Sequence, residues 1–452
     1  MGNKKNSMKK SVKAFTALLL ALCLIFTAAG CAANKAEGSE PNTLANESGI
    51  KLEKIFDYVL DAGTYTELDD EKAYAYFDSI YDLRPGGCTA VAKTTDTEGT
   101  MVGRNMDIYI SNNPSYFFRT DRADHYKTMG LMYANTNAPS YDDVMENGLD
   151  SDFYNLIPFI ATDVMNEYGL YVEVNMRTGE YDENGGLVFG CDGTRSSKGL
   201  ESERRLCSFM LPLFLGERCK TVAEAVDYAQ NKLDLYTPAA DTAFPWNFCF
   251  VVADATGEYG VIEIAKNEVI YTQGGTAGVS DTGKTEMKEG SAQANFYIAP
   301  EFAKDEQLKI GLGRYDVVKN GWADVETERQ MFDMMDSISY FQSYFPWCRF
   351  DNRSEEVSIV VTDPELLKEL GMPEEYLDKV WDNDFVNEHP DYVNAYIAHD
   401  RADIMEHIKN GTLRDANYYW ESAFTLVANC SQQTILVRFN ECNKNMIKFS
   451  FE

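Results

Sequence analysis

Residues 87–109 read GCTAVAKTTDTEGTMVGRNMDIY, two alternating segments joined by turn residues. Residues 89–93 alternate in the manner of a half-buried strand, and residues 100–108 resume that pattern. Between the two lies Asp-Thr-Glu-Gly at 96–99, a set of residues that favours a turn. The stretch therefore predicts a β-hairpin, in which residues distant along the chain are brought together by one local element.

A hairpin that folds near Thr97 places Cys88 roughly opposite Asp107, with Arg104 close by. The thiolate is the reactive form of cysteine, yet a thiol with a pKa near ~8.5 is mostly protonated at neutral pH. If Cys88 were a chain N-terminus, its own amine, with a pKa near ~8, could accept the thiol proton and later return it to a leaving nitrogen. Asp107 would hold that amine, and the permanently charged Arg104 would favour the thiolate.

This stretch resembles the start of the mature chain in the choloylglycine hydrolase family. That family belongs to the N-terminal-nucleophile (Ntn) hydrolases and includes bile salt hydrolases, penicillin V acylases and, more distantly, acid ceramidase-like amidases. The Cys-Thr start and the Gly-Arg-Asn-Met-Asp end support the resemblance, with Arg104 and Asp107 sixteen and nineteen residues after Cys88. The resemblance implies cleavage of the Gly87–Cys88 bond, which makes Cys88 the N-terminal nucleophile.

The resemblance covers roughly residues 87–345 and 418–451. It implies an α+β fold, the Ntn-hydrolase four-layer αββα sandwich of two antiparallel sheets, for a domain that spans residues 88–452. Residues 351–415 have no counterpart in the family. Their acidic composition and helical patterns predict an inserted helical lobe.

The same resemblance implies three further site residues. The sequence NEYGLYVEVN at 166–175 resembles a family strand that ends in an oxyanion-hole residue, so Asn175 would contribute its backbone N–H to the tetrahedral oxyanion. Asn295 stands in Ala-Asn-Phe where the family has Thr-Asn, and its side chain would complete the oxyanion hole. Arg314, in Gly-Leu-Gly-Arg-Tyr, would be a second active-site arginine near the thiolate.

The N-terminus predicts export and a lipid anchor. Residues 1–30 combine a basic start, a short apolar stretch and small residues before a cysteine, as a secretory signal peptide does. The Ala-Ala-Gly-Cys ending resembles a bacterial lipobox, which implies cleavage before Cys31 and diacylglycerol on its sulfur. Residues 31–49 are polar and small, which is typical of a solvated tether.

A prosegment is predicted between the tether and Cys88, over residues 50–87. Apolar residues recur at helical spacing in residues 50–60 and again in residues 71–81, so we expect two short helices. Cleavage before Cys88 would separate the lipid from the nucleophile. We therefore expect the prosegment to stay associated with the domain and to cover or tether the site, with the enzyme held at a bacterial membrane.

The composition excludes several classes of partner. The chain has a formal net charge of -31, and its first thirty residues are basic, so the remainder is more acidic still. Such a surface repels phosphate backbones, which argues against nucleic-acid binding. The four histidines form no H-E-x-x-H pattern and the ten cysteines form no C-x-x-C pair, so we expect no metal site. The chemistry described for Cys88 requires no cofactor.

Taken together, the sequence predicts a hydrolase that cleaves linear amide bonds through a Cys88 thioester. Conjugated bile salts, penicillin V and N-acyl amines all remain open as substrates, and aromatic residues in segments 111–124 and 132–152 suit an apolar acyl group. Two alternatives share the fold. An acyltransferase would pass the acyl group to an added amine, and a non-catalytic envelope binding lipoprotein would show no cleavage at Cys88.

Overall fold

The computed structural model describes residues 43–45, 50–56, 58–79, 87–109, 113–133, 138–178, 180–181, 187–188, 204–236, 246–265, 268–275, 278–279, 285–299, 311–339, 359–361, 363–381, 389, 392, 420–439 and 445–451. The predicted signal peptide and Cys31 lie outside these residues, as does most of the predicted tether. Among the described residues, no helix is long and apolar enough to cross a membrane.

The strands, in chain order, are β1 (Thr43–Ala45), β2 (Lys51–Phe56), β3 (Val59–Tyr65), β4 (Gly87–Thr95), β5 (Gly99–Tyr109), β6 (Ser115–Thr120), β7 (Thr128–Tyr133), β8 (Asp163–Asn166), β9 (Tyr171–Thr178), β10 (Glu180–Tyr181), β11 (Leu187–Val188), β12 (Arg204–Cys207), β13 (Leu233–Tyr236), β14 (Trp246–Ala253), β15 (Tyr259–Ala265), β16 (Glu268–Gln273), β17 (Gly278–Val279), β18 (Thr285–Glu286), β19 (Ala292–Gln293), β20 (Ile359–Val360), β21 (Val380–Trp381), β22 (Trp420–Asn429), β23 (Thr434–Phe439) and β24 (Ile447–Ser450). The α-helices are α1 (Asp70–Ser79), α2 (Tyr141–Asn147), α3 (Ser151–Leu156), α4 (Leu211–Gly216), α5 (Val222–Asn231), α6 (Leu312–Gly321), α7 (Glu328–Asp336) and α8 (Pro364–Glu369). Short 3₁₀ helices cover Ile157–Ile160, Ser208–Met210, Trp322–Asp324 and Glu374–Tyr376.

Two large sheets form the centre of the molecule. One has ten strands in the order β1-β2-β3-β6-β7-β8-β9-β14-β15-β16, and the other has six in the order β19-β4-β5-β22-β23-β24. Neighbouring strands pair antiparallel throughout both sheets, except that β3 and β6 are parallel. The predicted α+β class with two largely antiparallel sheets is confirmed.

Three apolar cores separate four layers, as the αββα prediction requires. The core between the sheets contains side chains from both of them, among them Ala90, Val102, Met129 and Val251. Helices α1 to α5 pack on the other face of the ten-stranded sheet, where Phe77 is one of the buried side chains. Helices α6 and α7 cover the outer face of the six-stranded sheet through apolar side chains: Val318, Met331 and Met335 against Val91 and Met101.

The β4–β5 hairpin has the predicted turn, but its register is shifted by one residue. Gly87 pairs with Asp107 and Cys88 pairs with Met106, because the chain turns about Thr97. Since side chains alternate between the two faces of a strand, this shift places Asp107 on the face opposite to that of Cys88. Gly99 closes the turn with φ +76°, and a Cβ there would lie 2.2 Å from the Ser431 Oγ.

The first predicted helix of the prosegment is wrong. Residues 51–56 and 59–65 form strands β2 and β3, and Tyr58, just before β3, has φ +63°. Strand β3 pairs with β6, and this long-range pairing outweighs the helical spacing of the apolar residues. The second predicted helix is confirmed as α1. Residues 50–79 therefore form part of the sandwich itself.

Polar contacts reinforce the attachment of this N-terminal segment. Asp61 lies 3.1 Å from the Arg119 guanidinium, and Asp70 lies 2.7 Å from that of Arg122. The Tyr65 hydroxyl donates to the Tyr154 carbonyl at 3.0 Å. These contacts reach three separate parts of the domain, so the segment is fixed by side chains as well as by the sheet.

The described part of the predicted lobe is only partly helical. Helix α8 agrees with the helical piece predicted there, and β20 pairs with β21 on either side of it. The lobe is described over residues 359–361, 363–381, 389 and 392, and its other residues lie outside the described residues.

We expect Phe77→Ala to lower the free energy of unfolding by about 3–5 kcal/mol, because it removes a large side chain that is buried in the core. Chemical denaturation of the purified protein would measure this loss. Ala75→Gln, on the exposed face of the same helix, should change stability by less than about 0.5 kcal/mol. Equal, small effects of both substitutions would contradict the integration of α1 into the domain.

Candidate active site

Cys88 is the second residue of β4, and its side chain is buried in the layer between the two sheets. The Cys88 Sγ lies 3.4 Å from the Arg104 Nη2 and 3.4 Å from the Met106 Sδ. Met106 is the register partner of Cys88, and Arg104 precedes it by two residues on the same face of β5. The hairpin thus accounts locally for the contact between the thiol and the guanidinium.

The Arg104 side chain crosses from the six-stranded sheet to the ten-stranded sheet. Its Nη2 donates to the Val174 carbonyl at 2.7 Å, and its Nη1 donates to the Thr162 carbonyl at 3.2 Å. Nη1 also pairs with the Asp163 carboxylate, and Nε lies 2.6 Å from the Glu173 Oε2. Burial lowers the pKa of Arg104, but the neighbouring Asp163 and Glu173 raise it by more than burial lowers it. The pKa is therefore well above its usual value, and the guanidinium stays charged.

Burial raises the pKa of the Cys88 thiol to about 11. Arg104 lowers this pKa, as expected from the sequence, whereas Glu173 and Asp107 raise it. In this structure the main-chain nitrogen of Cys88 belongs to an uncleaved peptide, so it cannot accept the thiol proton. The thiol of the uncleaved chain is therefore protonated at neutral pH.

A second group of polar contacts surrounds the main-chain nitrogen of Cys88. That nitrogen donates to the Asn295 Oδ1 at 3.3 Å, and the same oxygen accepts from the Arg314 Nη2 at 2.9 Å. The Asn295 Nδ2 donates to the Met176 carbonyl. Asn295 is thereby oriented by three contacts that come from three different elements.

Asp107 lies in this second group rather than beside the thiol. Its carboxylate pairs with Arg314 and accepts from the Ser422 hydroxyl. Burial raises the pKa of Asp107, an effect that Arg314 and Ser422 oppose. Sequence reasoning expected Asp107 to hold the amine of Cys88 and Arg314 to approach the thiolate. The contacts given by the structure link both residues to the Cys88 nitrogen through Asn295.

Arg314 reaches this position from the first turn of α6, and the preceding glycine makes room for it. Gly311 has φ +80°, and a Cβ at this residue would lie 2.6 Å from the Arg314 Nη2. A side chain there would be both strained and in conflict with the guanidinium. This explains why a glycine stands three residues before Arg314.

Asn175 lies on β9 between two residues whose carbonyls take part in the site. The Val174 carbonyl accepts from Arg104 and the Met176 carbonyl accepts from Asn295. The Asn175 side chain is fully buried, and neither its Oδ1 nor its Nδ2 has a hydrogen-bond partner among the described residues. Leaving a buried polar group unsatisfied costs about 1–3 kcal/mol. Its oxyanion role stays a prediction.

Sequence reasoning missed the two carboxylates beside Arg104. Asp163 and Glu173 are fully buried, and they are register partners on β8 and β9. One signal was available: Tyr171, Glu173 and Asn175 alternate with apolar residues in a strand of the sandwich centre. Because side chains alternate between the two faces of a strand, these three residues lie on one face, which points to the layer between the sheets.

The aromatic residues expected beside an acyl group are largely structural. Tyr116, Phe117 and Phe118 are fully buried within strand β6. Phe117 stacks on Phe449 at a centroid distance of 3.6 Å, inside the core between the sheets. These three side chains therefore contribute to stability rather than to an open pocket.

Cys88, Cys219 and Cys430 are buried free thiols. Among the described residues, no group of three or more His, Cys, Asp or Glu side chains is placed to bind a metal ion. The Cys88 sulfur contacts a guanidinium.

The two sheets and the helices that flank them form a four-layer αββα sandwich, with Cys88 near the start of an inner strand. No model of a known protein family matches the chain, and no curated protein matches its sequence. Two solved variants of a conjugated bile acid hydrolase from Clostridium perfringens are similar to it at 12% and 13% identity. Each has a TM-score of 0.37 and an alignment that covers 80% of this chain and 92% of that chain.

A penicillin V acylase from Agrobacterium tumefaciens is similar at 11% identity and a TM-score of 0.36, over 80% of this chain and 86% of that chain. At this level of similarity, the fold and the site follow from the strand pairing and the contacts described above, and not from these structures.

We expect Asp107→Asn to lower the free energy of unfolding by about 3–5 kcal/mol, because it leaves the buried Arg314 guanidinium without its counter-charge. Urea denaturation would give the value. Asp61→Asn is the matched control, since the Asp61–Arg119 pair is partly exposed and should contribute at most about 1 kcal/mol. A loss at position 107 no larger than that at position 61 would show that the buried pair does not stabilise the fold.

Proposed function

We propose that this chain is a cysteine Ntn hydrolase that cleaves linear amide bonds after the Gly87–Cys88 bond has been cut. One observation supports this most directly. The nitrogen of Cys88 contacts the Asn295 Oδ1 at 3.3 Å, while its sulfur lies 3.4 Å from the Arg104 Nη2. The nitrogen and the sulfur of a single residue therefore each have a polar partner from another element, as a combined base and nucleophile requires.

Cleavage is needed because the nitrogen of Cys88 in the uncleaved chain is an amide, which cannot act as the base for the thiol of the same residue. With a pKa of about 11, the thiol of Cys88 is protonated at neutral pH. A free α-amine at Cys88, with an ordinary pKa near ~8, would be able to take that proton. The same residues that surround the nitrogen also surround the bond to be cut, so we expect the cleavage to be autocatalytic.

In the proposed reaction, the Cys88 thiolate attacks the substrate carbonyl carbon. The backbone N–H of Asn175 and the side-chain amide of Asn295 stabilise the oxyanion, the latter after exchanging its contact with the Met176 carbonyl. The C–N bond then breaks, and the Cys88 ammonium protonates the leaving nitrogen. Water attacks the resulting thioester with the amine as base, which releases a carboxylic acid and restores the thiol.

Arg104 and Arg314 have separate tasks in this scheme. Arg104 contacts the sulfur and favours its negative charge, while Arg314 orients Asn295. Asp107 fixes Arg314 and so supports the amine indirectly. We propose small amphipathic acyl amides as substrates, with conjugated bile salts, penicillin V and N-acyl amines as the classes to test.

We further propose that the protein is exported and anchored to a bacterial membrane by lipid on Cys31. Cleavage before Cys88 would leave the anchor on a separate N-terminal fragment. Strand β3 of that fragment pairs with β6, and its Leu60 and Phe77 are buried in the core beside the ten-stranded sheet. These contacts support a two-chain enzyme in which the fragment keeps the catalytic chain at the membrane.

Intact-mass measurement of the purified protein should reveal a chain that begins at Cys88, and Cys88→Ala should abolish both this cleavage and amide hydrolysis. The reason is that the sulfur serves as nucleophile in both steps. Cys430→Ala, at another buried free thiol, is the control and should be cleaved normally. Hydrolysis by an uncleaved wild-type chain would sink the proposal, and diversion of product by added amines would identify an acyltransferase.

After cleavage, the N-terminal fragment and the catalytic chain should elute together in native size-exclusion chromatography and separate in denaturant. Fractionation of cells should place both chains at the membrane, and Cys31→Ala should release both together. The paired strands and the buried side chains of the fragment are the physical reason. Stable docking would be excluded by a catalytic chain found wholly in the medium while Cys31 is intact.

A further inference from the structure

Two buried carboxylates lie side by side next to the Cys88 thiol. Asp163 and Glu173 are directly opposite each other on β8 and β9, and both are fully buried. Like charges in such a cross-strand pair repel each other, and the repulsion is strongest away from water. The guanidinium of Arg104 contacts both carboxylates and also the Cys88 sulfur. One positive charge therefore faces three groups that can each become negative.

Asp163 accepts more hydrogen bonds than Glu173 does. Asp163 accepts from the Tyr171 hydroxyl at 2.5 Å, from the Thr162 hydroxyl at 2.7 Å and from Arg104. Glu173 lies 2.6 Å from the Arg104 Nε and next to its register partner Val251, but neither of its oxygens accepts a hydrogen bond from a described side chain. Hydrogen bonds to an ionised carboxylate stabilise its charge, so Asp163 is the better site for the negative charge and Glu173 the better site for a proton.

We propose that Glu173 is a positioning residue that fixes the Arg104 guanidinium against Cys88 and, by holding a proton, leaves its positive charge to the Cys88 thiolate. This inference rests on the proposed function, because it assigns Glu173 a part in activating the same nucleophile. With Glu173 neutral, Arg104 balances Asp163 and stands beside the sulfur. With Glu173 ionised, a second carboxylate competes with the thiolate for the same guanidinium.

The protonation of Glu173 gives the proposal a pH signature. Burial raises the pKa of Glu173 to about 8, an effect that Arg104 opposes and Asp163 increases. Below that pH Glu173 is neutral, and above it the new charge raises the pKa of the Cys88 thiol, as Glu173 already does by proximity. The other charged or titratable groups that face Glu173 are Arg104, Asp163, Tyr171 and, on the neighbouring strand β14, Cys249.

The test measures the rate at which iodoacetamide alkylates Cys88 in the cleaved protein between pH 6 and 10, with peptide mapping to separate Cys88 from the other thiols. Glu173→Gln keeps a polar oxygen beside the Arg104 Nε but never becomes charged. Its rate should match the wild type at pH 7 and exceed it about tenfold near pH 9, which corresponds to a thiol pKa lower by about one unit. Glu173→Leu, which has no polar atom at this place, should be slower than both at pH 7.

The outcomes separate this inference from the proposed function. Glu217→Gln is the control, because Glu217 is a buried carboxylate whose partner is Arg122, and its profile should follow the wild type. If the profiles of Glu173→Gln and the wild type coincide across the range, Glu173 does not hold the proton and the inference is wrong. If Glu173→Gln and Glu173→Leu behave alike at pH 7, Glu173 does not position Arg104. A wild-type Cys88 that is neither cleaved nor alkylated would instead overturn the proposed function.

Discussion

The guanidinium of Arg104 is the interaction on which the site depends. It is fully buried between two sheets, where an isolated charge would be very costly, and the Asp163 carboxylate together with the polar contact to Glu173 makes its burial tolerable. Because both carboxylates belong to the ten-stranded sheet and Arg104 belongs to the other, the ion group also aligns the two sheets. Replacing it by apolar residues could preserve stability, but it would remove the positive charge from the sulfur of Cys88.

The period of two along the hairpin explains why the site has two separate polar groups. Arg104 and Met106 face the layer between the sheets with the Cys88 sulfur, whereas Asp107 lies on the other face with Arg314. Cys88 is the residue that contacts both groups, through its sulfur on one side and its nitrogen on the other. This arrangement can tune the acidity of the thiol and the position of the amine independently, although they belong to one residue.

The sequence was informative where the relevant contacts are local. Cys88 and Arg104 lie in one hairpin with a short turn, so alternation and turn residues were enough to bring them together. Asn295 and Arg314 were named through a resemblance, and the structure brings both to the Cys88 nitrogen by contacts that no local pattern encodes. Glu173 was missed because its meeting with Arg104 depends on how the two sheets stack. Strands β2 and β3 were missed because their apolar spacing also fits a helix.

The register of the hairpin determines which of the two chain ends made by the proposed cleavage keeps its place in the sheet. Gly87 is still part of β4 and is the register partner of Asp107, a carboxylate that is already buried. Cutting the Gly87–Cys88 bond turns a neutral peptide into a carboxylate on Gly87 and an amine on Cys88. The new carboxylate would then lie next to the Asp107–Arg314 pair, where it would compete with Asp107 for the same guanidinium. The amine would meet the Asn295 oxygen, which already accepts from the same nitrogen. The proposed cleavage would therefore favour the departure of Gly87 from the sheet while Cys88 stays in place, which would free the space beside the nucleophile for a substrate.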